Sequence, residues 1–273
     1  MSSRPQPRRP VTARVALTGL AAGAAGSSLM GPRILAGYAA VGLAVGVGLA
    51  LNSLAGMGRV MPVLGGALAI AYPLAVVEQG EEGILWAAAL TLMVMAGGFV
   101  SRRPVRGVVG AFAVSVAVVL HLGLLGSYLV LVAATGTRLL AALVLMAVGF
   151  EAAYSFARAR TGPPGGRTPA GSPGAASYLN TVPSLSGVGA CAAAGLVARL
   201  FLPNPPGVAS TLVLGFAVGT AAALGHAAAT LASEDLDSET REVGVFDTGV
   251  FTFMNAMLFA AGAFYYGFRL YLT

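Results

Sequence analysis

Nine apolar stretches divide this 273-residue chain: residues 15–30, 34–57, 60–77, 84–100, 108–133, 137–156, 183–202, 207–232 and 247–271. Each is about long enough to cross roughly 30 Å of hydrocarbon at about 1.5 Å per residue. Away from water every backbone N–H and C=O must be satisfied within the segment, which selects helices. Barrel strands would alternate in segments of about 10 residues, and these runs do not alternate. The breaks carry their own chemistry: Gly31-Pro32-Arg33, Gly58-Arg59, the acidic turn from Glu78 to Gly83, Ser101-Arg102-Arg103-Pro104, Thr135-Gly136-Thr137-Arg138 and Leu202 to Gly207. Arg158 to Thr181 is the longest polar stretch, and its Gly, Pro and Ser content predicts irregular backbone. Ser233 to Phe246 reads as an acidic loop.

Composition agrees. Apolar residues make up 57% of the chain, charged residues 10%, and the mean hydropathy is +0.82; a soluble domain carries about 25% charged residues. The expected fold is all-α, a polytopic membrane protein of about nine transmembrane helices. It divides into a basic tail (1–14), an N-terminal membrane region of five helices (15–133) and a C-terminal region of four (134–273).

All 16 basic residues are Arg. With the N-terminus inside, twelve of them fall on the inner side: Arg4, Arg8, Arg9, Arg14, Arg59, Arg102, Arg103, Arg106, Arg158, Arg160, Arg167 and Arg241. Arg33, Arg138, Arg199 and Arg269 fall outside. The positive-inside rule then predicts a cytoplasmic N-terminus and an external C-terminus. Arg beside membrane spans meets anionic head groups, so the net charge of +6 calls for no nucleic acid. Cys191, the single cysteine, has no partner in the chain and reads as a packing residue.

Ionisable and amide groups in the apolar stretches are the candidates for chemistry, because a carboxylate at membrane depth is costly and faces a cavity or a partner. Glu151 lies inside the sixth stretch, Asn255 in the ninth, His226 in the eighth and His121 in the fifth. His121 is expected to hydrogen-bond a neighbouring helix. No Asp precedes Asp235, whereas Glu234, Asp235, Asp237, Glu239, Glu242 and Asp247 cluster before the last stretch. Clustered carboxylates suit Mg²⁺ when substrate phosphates and water complete the shell; the same residues equally describe a solvated loop that ends two helices.

These residues carry a resemblance. Phe150 to Arg158 (FEAAYSFAR) is similar to the D-T-x-A-Y-x-x-G-R stretch of bacterial phosphatidate cytidylyltransferases, the CDP-diacylglycerol synthases. Asn180 to Gly187 takes the place of the family's S-P-x-K-T-W-E-G, Gly225-His226 that of its G-D, and Asp247-Thr248-Gly249 that of its H-G-G. Thr252 to Ala261 resembles its D-R-x-D-S-L-L-F-A-A. The likeness covers about residues 122–268. Val182 and Pro183 stand where the family has basic residues, Ser186 replaces Glu, His226 replaces Asp, Asp247 replaces His, and Asn255 replaces the last Asp.

The resemblance implies nucleotidyl transfer in a bacterial inner membrane: CTP and phosphatidic acid give CDP-diacylglycerol and pyrophosphate. It implies Glu239, Asp235 and Glu151 as catalytic residues, and Glu234, Asp235, Asp237 and Glu239 as ligands of Mg²⁺. Arg158, Arg160, Arg241, Tyr154, His226 and Asn255 would contact substrate, and a homodimer is compatible. Two other classes stay open. One is a catalytically degenerate member of the family that binds lipid or an assembly partner. The other is a transporter, against which stands the absence of matching broken helices in two halves. An intramembrane prenyltransferase needs two Asp-rich motifs, and the lack of Asp before Asp235 speaks against it.

Overall fold

The computed structural model describes residues 31–53, 61–101, 108–161, 181–202, 205–239 and 248–272. Eight α-helices account for nearly all of them: α1 (Pro32–Ser53), α2 (Pro62–Gln79), α3 (Glu81–Val100), α4 (Val108–Thr135), α5 (Thr137–Thr161), α6 (Thr181–Ala198), α7 (Val208–Glu239) and α8 (Thr248–Leu272), with a 3₁₀ turn at Arg199–Phe201 after α6. They fall on eight of the nine expected stretches. The stretch at 15–30 and the basic tail lie outside the described residues.

Local chemistry explains the boundaries. Both α1 and α2 begin at a proline, whose missing N–H is one the first helical turn leaves unbonded anyway. Gly80 reverses the chain between α2 and α3 at φ +62, a backbone region that side chains disfavour.

Five helices are long and apolar enough to cross a membrane: Pro62–Gln79, Glu81–Val100, Val108–Thr135, Thr137–Arg160 and Val208–Thr230; Val182–Ala198 is a shorter apolar one. No more than 44% of any of the five windows is buried. The remaining apolar side chains, such as Leu85, Trp86, Met93 and Val109, face outward. A surface that apolar is stable only against lipid, and the chain is a multi-pass, all-helical membrane protein.

Two large apolar cores organise the bundle, beside a smaller cluster of Ala36, Val76, Ile84, Val130 and Leu131. One joins α1 to α4 around Val47, Leu51, Tyr72, Met95 and Val119. The other joins α5 to α8 around Leu143, Met146, Phe150, Val218 and Phe264. The walls between them are α4 and α8, which lie side by side: Leu258 of α8 belongs to the first core, and Val132 and Ala133 of α4 to the second. A bridge of Glu81, Tyr265 and Arg269 ties α3 to the far end of α8. The Tyr265 hydroxyl donates to Glu81 Oε1 at 2.7 Å, and Arg269 forms an ion pair with the same oxygen.

Candidate intramembrane polar site

The residues singled out in the second half fall on three helices of one core. In α5, the stretch from Phe150 to Arg158 runs to the helix end, so the aromatic rings and Glu151 lie in the packed part and Arg158 and Arg160 in the last turn. Phe150 and Tyr154, one turn apart on the same face, are buried and stacked at 5.9 Å between ring centroids. Gly187 of α6 makes room for them: a Cβ there would come within 2.6 Å of the Phe150 ring.

Against this face α7 brings His226. Its imidazole packs beside Tyr154, 3.9 Å between centroids, with Phe150 at 6.5 Å. His226 Nδ1 sits 3.7 Å from Glu151 Oε2, with side chains 7% and 27% exposed. That separation suits an ion pair and exceeds a hydrogen bond. Neither atom has a hydrogen-bond partner; Glu151 Oε1 accepts a hydrogen bond from Ser155 Oγ at 3.4 Å. The contact brings one imidazole and one carboxylate from two helices face to face inside the core.

Asn255 approaches from α8. The adjacent Gly225 permits this, since a Cβ on it would come within 2.6 Å of the Asn255 carbonyl oxygen. The Asn255 side chain turns to α4, where His121 Nε2 lies 3.0 Å from Oδ1; the Nε2–H tautomer donates to the amide oxygen. His121 thus pairs with a neighbouring helix, and Phe259 lies against its ring at 5.3 Å.

The other expected site residues lie further along. Arg158 and Arg160 are exposed, and the Arg160 guanidinium sits over the Phe156 ring at 4.2 Å. Glu234, Asp235, Asp237 and Glu239 belong to α7, not to the expected loop from Ser233. The reason is local: between His226 and Glu239 there is neither Gly nor Pro, and Ala, Leu and Glu favour the helix. Their backbone positions begin 8 residues beyond His226, about 12 Å along the axis, and Glu239 is about 20 Å beyond it. Among the described residues no three or more His, Cys, Asp or Glu side chains form a metal-binding group. Arg241, Glu242 and Asp247 lie outside the described residues.

The carboxylates on α7 and the Glu151 pair therefore occupy two levels of the same end of the bundle. A hard cation such as Mg²⁺ takes oxygen donors, which a pair made of one imidazole and one carboxylate does not supply. Cys191 is fully buried in the core of α5 to α8, as a packing residue. Sequence reasoning missed the aromatic walls of the His226 pocket and the pairing of His121 with Asn255. Comparison of the chain with protein-family models, curated proteins and solved structures finds no match.

Proposed function

We propose that the chain is a diverged, membrane-embedded phosphatidate cytidylyltransferase-like protein of about nine transmembrane helices. It sits in a bacterial inner membrane with its N-terminus in the cytoplasm. The supporting observation is a convergence. Three stretches that carry the resemblance meet in space although up to 104 residues separate Glu151 from Asn255: Glu151 faces His226, and Gly225 presses on Asn255.

In this reading the lipid phosphate of phosphatidic acid attacks the α-phosphorus of CTP, and the bond to the pyrophosphate breaks as pyrophosphate leaves. The two levels divide the work as an amphipathic substrate requires. Glu151, Tyr154, His226 and Asn255 shape the deeper level, inside the bundle. Arg158, Arg160 and Arg241 hold phosphate oxygens, a task for which the guanidinium fork is suited. Glu234, Asp235, Asp237 and Glu239 would hold Mg²⁺, which supplies charge neutralisation on the phosphates. By the Arg count of the sequence, the loops that follow α5 and α7 would face the cytoplasm, the side on which CTP is available.

A second reading has its own support. The His121–Asn255 hydrogen bond and the facing of Glu151 and His226 both run between helices, as packing in a catalytically silent lipid-binding or assembly partner would use them. Purified protein incubated with labelled CTP, phosphatidic acid and Mg²⁺, beside Asp235→Asn/Glu239→Gln, separates the two. Product that the double variant fails to make supports the enzyme. No product above background, with lipid retained, leaves the silent partner. Metal titration by calorimetry, with and without CTP, reads the carboxylates independently of turnover: binding equal in wild type and double variant removes the metal assignment.

A further inference from the structure

At the opposite end of the same half, α5, α6 and the 3₁₀ turn border a cavity of about 650 Å³ lined by Arg138, Ala141, Ala142, Leu145, Ala198 and Leu200. Arg138 precedes Glu151 by 13 residues on α5, about 20 Å along the axis, so the cavity is separate from the polar site. Its floor is made by small residues: Ala142 and Ala198 are buried at 4% and 1% exposure, and larger side chains there would fill it. Its rim is apolar and outward-facing, with Leu200 79% exposed.

One charge stands at the mouth. Arg138 is exposed in the first turn of α5, and no carboxylate lies within 4.0 Å of it among the described residues. The neighbouring Arg199 is otherwise engaged, its Nε donating to the Pro206 carbonyl at 2.6 Å. The start of a long helix adds a partial positive charge beside Arg138. The cavity is thus an apolar trough on the lipid-facing flank with a free cation at one end, of a size found in small-molecule sites, about 300–1,000 Å³. A neutral hydrophobe would leave Arg138 without an anion, and a free phosphate would leave the trough empty.

We propose that this trough binds an anionic glycerophospholipid, its phosphate on the Arg138 guanidinium and one acyl chain laid along Ala141, Ala142 and Leu145 toward deeper membrane. Both parts of the ligand are then matched at once. Leu145 lies seven residues below Arg138, about 10 Å down the helix, the direction in which an acyl chain runs from its head group.

The test uses the full chain, delipidated in detergent and titrated with phosphatidylglycerol or phosphatidylcholine, with bound lipid counted by native mass spectrometry. Wild type is expected to retain phosphatidylglycerol in preference. Arg138→Gln, an exposed substitution, should cut that retention roughly fivefold, as for an exposed ion pair, and leave phosphatidylcholine unchanged. Ala142→Leu, which fills the trough, should reduce both. Millimolar inorganic phosphate should displace neither lipid. Retention of phosphatidylglycerol by Arg138→Gln at the wild-type level overturns the proposal, and so does its loss in Arg158→Gln alone. Displacement by phosphate would reassign the site to a free anion. A change of oligomeric state in Ala142→Leu with lipid retention intact would make the trough an interface between copies.

Discussion

The two halves of the bundle bury different kinds of polar group. In α1 to α4 the fully buried ones are hydroxyls. Thr91 and Ser127 donate to the carbonyl four residues back in their own helices, Ala87 and Gly123, while Ser115 has no hydrogen-bond partner. In α5 to α8 one buried hydroxyl, Thr211, likewise donates to Gly207 four residues back, but the buried groups also include His226 and Asn255, with Glu151 half-buried beside them, and the contacts of these three reach other helices. A hydroxyl bonded within its own helix asks nothing of the tertiary structure. An imidazole or carboxylate at membrane depth demands a partner on another helix, which fixes the relative position of both. The first half reads as scaffold and the second as the part whose geometry is specified.

Six substitutions, in four tests, sharpen or break that contrast. Gly225→Val should be the most damaging, because its side chain must push α7 away from the α8 backbone. A loss of about 3 kcal/mol is expected, the upper range for overpacking, read by reversible unfolding in mixed detergent. If stability is unchanged, α7 and α8 are not in the contact described. His226→Leu comes next. It leaves the Glu151 carboxyl facing an apolar side chain with nothing opposite it, at a cost of about 2 kcal/mol. Glu151→Leu/His226→Leu should recover part of that loss; a double variant less stable than the sum of the singles would refute the pairing.

The hydrogen bond between His121 and Asn255 is worth less. A double-mutant cycle with His121→Leu and Asn255→Leu should return a coupling of about 0.6 kcal/mol, and at most about 1.7, as for hydrogen bonds between membrane helices. Zero coupling would detach α4 from the second half. Ser115→Ala, in the scaffold, should change stability by less than about 0.5 kcal/mol in either direction, since the hydroxyl it removes has no partner to lose. A large loss there would show that the first half is specified by polar contacts after all.

The positions of the described helices were legible because their punctuation is chemical: Pro32 at a start, Gly80 and Gly136 at reversals. The end of α7 was not. The first carboxylate after an apolar stretch ends what lipid will accept, but it does not end a helix, and Ser233 to Glu239 contains nothing that breaks one. In the site, Glu151, His226 and Asn255 stood out from sequence because each is costly at membrane depth. Which of them meet was not readable, since His121 and Asn255 are 134 residues apart and no spacing rule connects two helices at that distance. The bridge from Glu81 to Tyr265 and Arg269 escaped for the same reason, its glutamate passing as part of a turn.

The 32 residues of α7 give it a length of about 48 Å, well beyond a hydrocarbon core of roughly 30 Å. Built without a joint, it behaves as a shaft. His226 is fixed at one station along it and Asp235 and Glu239 at others, so none of them moves without the rest. A displacement of the helix at Asp235 would be delivered to the imidazole beside Tyr154 as a shift of the same size. Whatever this protein does at its two levels, it does them in register.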